Sequence, residues 1–413
     1  MSGWRPETAV TMQGSATLDR VRRGRLCTGC GGCAAVSDKI RITRTEDGFN
    51  RPVATEKLTR QEDRHIARIC PGLGMRTETD RKSDPLWGRV RSAWTGHAAG
   101  AELRFRAASG GALSAVLVHL VESGKVDYVL HTGADPDDPS GNRTVASRSR
   151  AAIATSAGSR YAPSSPLAVI EEHLRSGQRF AFVGKPCDVA ALRAMARRDA
   201  RIDAQVPYML SFFCAGVPSR KGAAEILRRM GVDEQDVNTF RYRGDGWPGS
   251  ATATLRDGSQ HRMGYRESWG DILSKHVQFR CKICPDGSGT FADVVCGDAW
   301  HGDASGYPVF DEADGQSLIL ARTVRGEALV KAVIAADLLK TDSVRLDQIT
   351  AMQPGQTKRM RNLLARLAAL WITAQPSPRY RGFKLLRVAR EASPFTLLRN
   401  FLGTGSRVLL GRR

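Results

Sequence analysis

No uninterrupted apolar run in this 413-residue chain reaches the roughly 18 residues that a membrane-spanning helix needs. The first 20 residues also lack the apolar core of a secretory signal. Cysteine is sparse, nine in all and therefore odd in number, and the residues sit mostly in tight pairs and triplets. That pattern does not fit a secreted disulfide framework but fits metal ligation in a reducing compartment, so a cytoplasmic protein is expected. No internal repeat is visible. With 41% apolar and 25% charged residues the chain has the composition of a soluble globular protein, long enough for two or three domains.

Acidic residues are nearly absent from the C-terminal end. Residues 355–413 hold 13 Lys and Arg against the single acid Glu391, and so carry +12 of the chain's net +20. Nucleic acid is not the expected partner, because no recognised binding motif accompanies the charge and the aromatics there (Trp371, Tyr380, Phe383, Phe395, Phe401) are scattered. An acidic protein surface or an anionic membrane face accounts for it as well. Leu385-Leu386, Leu397-Leu398, Phe401-Leu402 and Val408-Leu409-Leu410 lie among the arginines. Three readings are open for this segment: an interfacial helix, a docking arm for an acidic partner, or a helical cap with a basic outer face.

What the sequence does contain is organised around Cys27-Thr-Gly-Cys30-Gly-Gly-Cys33. A Cys-x2-Cys-x2-Cys run lets one turn wrap three thiolates around a cubane while small residues leave backbone N–H groups free to point at the sulfurs. The fourth ligand is expected to be Cys70, because Cys70-Pro71 has the form of the last ligand in bacterial ferredoxin runs, although here 36 residues separate it from Cys33 rather than three. Zinc is the other metal this spacing serves. Three ligands from a single turn favour iron–sulfur.

Between these cysteines, Ile40–Val53 alternates apolar and polar residues around Asp47-Gly48, the signature of a hairpin. The expected organisation is a polar, disordered tail over residues 1–20, a ferredoxin-like module over 21–76, a charged linker over 77–85, an α/β domain over 87–350 and a basic amphipathic extension over 351–413, with Met360–Ile372 as one of its amphipathic pieces. In the α/β domain Ser109 is expected to cap a helix running to Glu122, with Gly110 and Gly111 leaving free N–H groups suited to a phosphate. Lys125–Leu130 reads as a strand. Gln178–Val183 reads as a strand turning at Gly184 into a helix that starts near Cys187, and Pro207–Phe213 as a second strand running into Cys214. Neighbouring parallel strands would bring Cys187 and Cys214 together. With Cys281 and Cys284 of a third cysteine group they make four ligands, which leaves Cys296 as a small buried hydrophobe. His301 is expected to be a surface or core histidine rather than a proton donor, and the Asn142-Arg-Thr144 sequon has no meaning in a cytoplasmic protein.

Taken in order, Cys27–Cys33, Cys70-Pro71-Gly72, Ser109-Gly110-Gly111, Ser156–Tyr161, Gly184-Lys185-Pro186-Cys187, Phe213–Ser219, Tyr242-Arg243-Gly244, Arg280–Cys284 and Gly297-Asp298-Ala299-Trp300 resemble the coenzyme F420 hydrogenase/dehydrogenase beta subunit family. That family also includes hydroxymethyl-chlorophyll reductase and a ferredoxin-dependent divinyl reductase. The resemblance covers roughly residues 25–305. It implies a mixed α/β fold in which a ferredoxin-like iron–sulfur module precedes an α/β flavin-binding domain, with FAD and two 4Fe-4S clusters. It implies FAD contacts from Ser109, Gly110, Gly111, Gly158, Ser159, Arg160, Tyr161, Gly184 and Lys185, and a second cluster on Cys187, Cys214, Cys281 and Cys284 beside the flavin. The expected function is a reductase or dehydrogenase passing electrons between a one-electron carrier such as an acidic ferredoxin and a two-electron small-molecule substrate. The alternative is a non-catalytic electron-transfer subunit of a larger complex, and a third, weaker reading makes Cys187 a nucleophile in sulfur chemistry. No residue is assigned a catalytic role, and no dedicated deazaflavin pocket is legible.

Overall fold

The computed structural model describes residues 14–78, 83–302 and 309–411. Most of the expected N-terminal tail (1–13), the middle of the expected linker (79–82) and the last two arginines (412–413) lie outside the described residues. Part of the segment expected to be disordered is helical, because Ser15 caps the helix Ala16–Arg23 and its hydroxyl accepts the Leu18 N–H at 3.0 Å. A capping box between Thr59 and Glu62 starts the helix Arg60–Ile69, and Cys70 is its C-cap. The Asp47-Gly48 turn joins strands Ile40–Arg44 and Asn50–Ala54 in an antiparallel hairpin that pairs Ile40 with Ala54. Leu18, Ile40, Ala54, Leu58 and Ile66 form the small core between them.

The main domain is built on eight strands: β1 (Ser92–Ala98), β2 (Tyr128–Ala134), β3 (Asn142–Ser147), β4 (Phe180–Gly184), β5 (Tyr208–Phe212), β6 (Val294–Asp298), β7 (Ser317–Ala321) and β8 (Leu339–Ser343). Their order across the sheet is β8-β1-β7-β6-β5-β4-β2-β3. The four central strands β2, β4, β5 and β6 run parallel to their neighbours in that row, and the flanking pairings are antiparallel. Every residue of β4 and of β7 is buried. Such unbroken apolar strands need cover on both faces. Phe180 and Phe182 point into one core with helix α2 (Pro186–Ala196), while Ala181 and Val183 point into another with helix α1 (Ala112–Glu122). A three-stranded antiparallel sheet formed from Val237–Arg241, Ser250–Leu255 and Gln260–Gly264 stands beside the main one.

The N-terminal module is keyed into this domain. Cys30 and Ile69 belong to the same buried cluster as Phe180 and Leu192, the Leu167 N–H donates to the Cys30 carbonyl at 3.0 Å, and the Arg220 N–H donates to Gly48 at the hairpin tip at 3.0 Å. The C-terminal segment is equally integral. Helix α3 (Pro354–Ile372) buries Met360, Leu363, Leu367 and Leu370 against Val21, Leu26, Phe279 and Ile283, and Arg379–Arg381 pairs in parallel with Gly74–Arg76. Each such side chain contributes about 1.5–3 kcal/mol on burial, so α3 is core, while helix α4 (Pro394–Leu409) packs outside it. No helix among the described residues is long and apolar enough to cross a membrane.

Candidate functional site

Cys27, Cys30, Cys33 and Cys70 line one enclosed cavity, walled also by Leu18, Val21, Ile66 and Ile69. The turn that carries the first three needs glycine at position 31, where φ is +86° and a Cβ would lie 2.7 Å from the Ala168 nitrogen. The Gly29 N–H points at the Cys27 sulfur at 3.4 Å, and the amides of Gly32, of Ala34 and of Gly72 with Leu73 favour the thiolates of Cys30, Cys33 and Cys70 respectively. Burial outweighs them: it pushes the Cys30 thiol up to about 12 and Cys70 to about 11, and holds Cys33 well above its ordinary range. Thiolates here therefore need a cationic centre to offset desolvation.

The second group forms where the parallel strands β4 and β5 end together, Gly184 standing opposite Ser211. Cys187 lies in the first turn of α2, Cys214 follows β5, and a Cβ on Gly216 would lie 3.2 Å from that of Cys281. Cys187 feels the charges of Cys214 and Cys284, and Cys214 those of Cys281 and Cys284, so the four form one electrostatic cluster. The Val217 N–H and the Gln278 side-chain amide each donate to the Cys281 sulfur at 3.4 Å. Burial again pushes up the thiols of Cys187, Cys214 and Cys284, Cys214 to about 12. Among the described residues no three His, Cys, Asp or Glu side chains stand close enough together to hold one metal ion.

The two groups are connected by protein. Arg280, fully buried, donates from Nη2 to the carbonyl of Pro71 at 2.7 Å, tying the residue before Cys281 to the residue after Cys70. A second buried cation, Lys185, feels the charge of both Cys187 and Cys30, and its Nζ donates to Asp188 at 2.8 Å and to the Ser164 carbonyl and hydroxyl at 3.1 and 3.0 Å. Burial works against this ammonium, but Asp188 and then Cys187 more than offset it.

A cavity of about 290 Å³ opens against Cys214. Its floor is the start of α1, where the N-cap Gly111 has no capping side chain, the Ser317 hydroxyl accepts the Ala112 N–H at 3.4 Å, and the first-turn residues Ala112, Leu113 and Ser114 line the wall. Tyr161, Tyr265, Trp269 and Trp300 supply flat aromatic surface, and Asp298 and Arg243 form its polar end. Asp298 accepts from the Ser109 hydroxyl at 2.7 Å, from Trp247 Nε1 at 2.8 Å, and from Arg243 Nη2 and Nη1 at 2.6 and 2.9 Å. The Arg243 guanidinium in turn lies over the Tyr265 and Trp300 rings at 4.6 and 5.0 Å.

Two family models, for the N-terminal and the C-terminal parts of the coenzyme F420 hydrogenase/dehydrogenase beta subunit, match residues 93–171 and 177–346 respectively, together more than half of the chain. The chain belongs to this family. The coenzyme F420 hydrogenase subunit beta of Methanococcus voltae is 25% identical over 276 residues, which cover 62% of this chain and 86% of that protein. The coenzyme F420-dependent sulfite reductase of Methanocaldococcus jannaschii is 22% identical over 363 residues, 84% of this chain and 52% of that protein, so the match spans about half of the reductase. A chain from the structure of the F420-reducing NiFe hydrogenase complex of Methanosarcina barkeri shares the fold, with a TM-score of 0.53 and 21% identity over 69% of this chain and 95% of the other.

Within this beta-subunit fold, Ser109, Gly111, Gly158, Ser159, Arg160, Tyr161 and Lys185 all line the cavity, whereas Gly110 and Gly184 stand behind its wall. Gly110 is held there by contact, since a Cβ would lie 2.5 Å from the Gly315 carbonyl. Two roles differ from expectation. Ser109 does not cap α1, which starts at Ala112 after Gly111, because its hydroxyl is drawn to Asp298. Arg160 directs its guanidinium to Asn142 Oδ1 and to the carbonyls of Phe240, Pro139 and Gly141, so it braces the cavity's loops. Cys296 sits in an apolar cluster on β6 with its thiol pushed up by burial to about 12, and His301 is exposed. The Asp298–Arg243–Trp247 constellation escapes sequence reasoning; its only signals are the short motifs around Arg243 and Asp298, which say nothing of their meeting.

Proposed function

We propose that this chain is an FAD-dependent iron–sulfur oxidoreductase in which Cys27, Cys30, Cys33 and Cys70 hold one 4Fe-4S cluster and Cys187, Cys214, Cys281 and Cys284 hold a second. The observation that carries the reading is the placement of Cys214, which belongs to the second thiol group and also lines the cavity beside it. The residues fit the groups: buried thiols with amides aimed at sulfur suit cubanes, and a glycine-capped helix start with aromatic walls suits a dinucleotide's pyrophosphate and ring. FAD, when bound, exchanges electrons singly with clusters and in pairs with a substrate.

In this reading the start of α1 binds the pyrophosphate, and Tyr265, Trp269 and Trp300 stack on planar ring surface. Asp298 fixes Arg243 as a buried cation at the cavity's polar end, where it favours negative charge on a bound ring or substrate. Lys185 and Arg280 offset the negative charge of the thiolate groups on either side of them. The one-electron partner is an acidic carrier of the ferredoxin type, and the two-electron partner a small molecule entering the cavity. A second reading, favoured by the likeness to a chain of a hydrogenase complex, makes the protein an electron-transfer subunit whose substrate chemistry needs another chain. Anaerobic mixing with reduced ferredoxin tests the first: the isolated chain should bleach its flavin and then reduce a small-molecule acceptor with multiple turnovers. Flavin that bleaches without turnover over a panel of acceptors would favour the second reading. Flavin that stays oxidised would contradict both.

A further inference from the structure

Helix α4 has apolar residues on the face that should be polar. Its inner side packs Thr404 and Val408 beneath it. Its outer side presents Phe395, Leu398, Leu402 and Leu409, which are 73, 54, 57 and 79% exposed. These positions follow one another by three, four and seven residues, so they form a single stripe down the solvent face of the helix. Trp371 and Ile372 at the end of α3, and Leu386 in the short helix Leu385–Ala389, are exposed as well. Isolated apolar residues on a surface need no explanation, but a stripe along 16 residues of helix does.

The charge around the stripe says what covers it. Glu391, the only acid in residues 355–413, is paired with Arg361 at 2.9 Å. Arg387, Arg390, Arg399 and Arg407 are exposed, and none of them has an ion pair among the described residues. Arg407 also adds to the positive potential at Lys282 and Arg366. A second copy of the chain would bring the same uncompensated positive field against this one, which argues against self-association through the stripe. We infer that α4 is a membrane-surface anchor, its Phe395–Leu409 stripe lying in the headgroup boundary of an anionic bilayer with Arg387, Arg390, Arg399 and Arg407 on lipid phosphates. The inference is independent of the electron-transfer reading, since it requires neither cofactor.

Flotation of the full-length protein with vesicles tests it. Removal of α4 is unsuitable, because Val408 belongs to the same buried cluster as Leu363, Leu367 and Leu370 of α3. The protein should float with phosphatidylcholine vesicles containing about a third phosphatidylglycerol, should not float with phosphatidylcholine alone, and should be released as salt rises. Replacing Phe395, Leu398, Leu402 and Leu409 together by Ser should weaken flotation by at least about tenfold, and R399E with R407E should do the same. Circular dichroism and a monomeric sedimentation coefficient should stay as in the parent for both variants. Failure to float with anionic vesicles would overturn the inference. So would a Ser variant that floats like the parent, or a parent that is a dimer and becomes monomeric in that variant. If the stripe instead serves an acidic protein, the parent stays in the pellet with lipid and the Ser variant raises the KM for reduced ferredoxin, which equally overturns it.

Discussion

Asp298→Ala should destabilise the protein by about 3–5 kcal/mol and abolish flavin retention. The carboxylate gathers four donor contacts from three side chains, Ser109, Trp247 and Arg243, and Arg243 is only 2% exposed. Without Asp298 a guanidinium remains buried, with one hydrogen bond to the Pro248 carbonyl and two aromatic faces around it. Removing one partner of a buried pair costs far more than an average contact for that reason. Ser109 would also lose the acceptor that holds the loop before α1, so the helix start should shift. Chemical denaturation gives the stability, and flavin fluorescence after gel filtration gives the retention. Asp298→Asn, which keeps acceptor and shape but not charge, should fall between parent and Ala. A parent-like denaturation midpoint for Asp298→Ala would remove the constellation from the account.

Cys214→Ala should separate the cavity from the N-terminal thiol group. If it ligates the proposed second cluster, its loss should matter more than that of an outer-shell partner, which costs about 10- to 100-fold in metal affinity, and the cluster should not survive purification. Iron should fall from about eight to about four per chain, the flavin should remain, and its reduction by ferredoxin should slow by on the order of 100-fold or more. The control is Cys296→Ala. Cys296 also lines the cavity but sits in an apolar cluster with no thiol group around it, so iron and flavin should match the parent. Equal losses in the two variants would mean that general disturbance of the cavity, rather than ligation, is being measured.

The parts of this molecule legible in its sequence are those set by local pattern. The Asp47-Gly48 hairpin, the buried run Phe180–Gly184 and the meeting of Cys187 with Cys214 each follow from period, turn chemistry or parallel neighbours. What stays hidden depends on contacts distant in sequence. Ser109 reads as a helix cap because nothing nearby competes for its hydroxyl, yet the competitor is 189 residues away. Arg160 reads as a ligand contact, and it does line the cavity, but its hydrogen bonds to backbone carbonyls of distant loops have no local signal. The basic C-terminal segment leaves three readings open, a helical cap among them, because charge dominates its composition. Two of its cations reach inward, Arg359 to the Cys214 carbonyl at 2.9 Å and Arg366 to the Lys282 carbonyl at 2.7 Å, so the segment clamps the loops that carry three of the second group's thiols. Gln353 and Gln356 do likewise for Asp298 and Cys214, at 2.6 and 3.1 Å.

If the two thiol groups and the aromatic-walled cavity make a single electron path, its composition can be measured on one sample. Protein purified without oxygen should contain about eight iron and eight sulfide per chain, and denaturation should release about one FAD. Zinc in place of iron, or a colourless protein that releases no flavin, would contradict it.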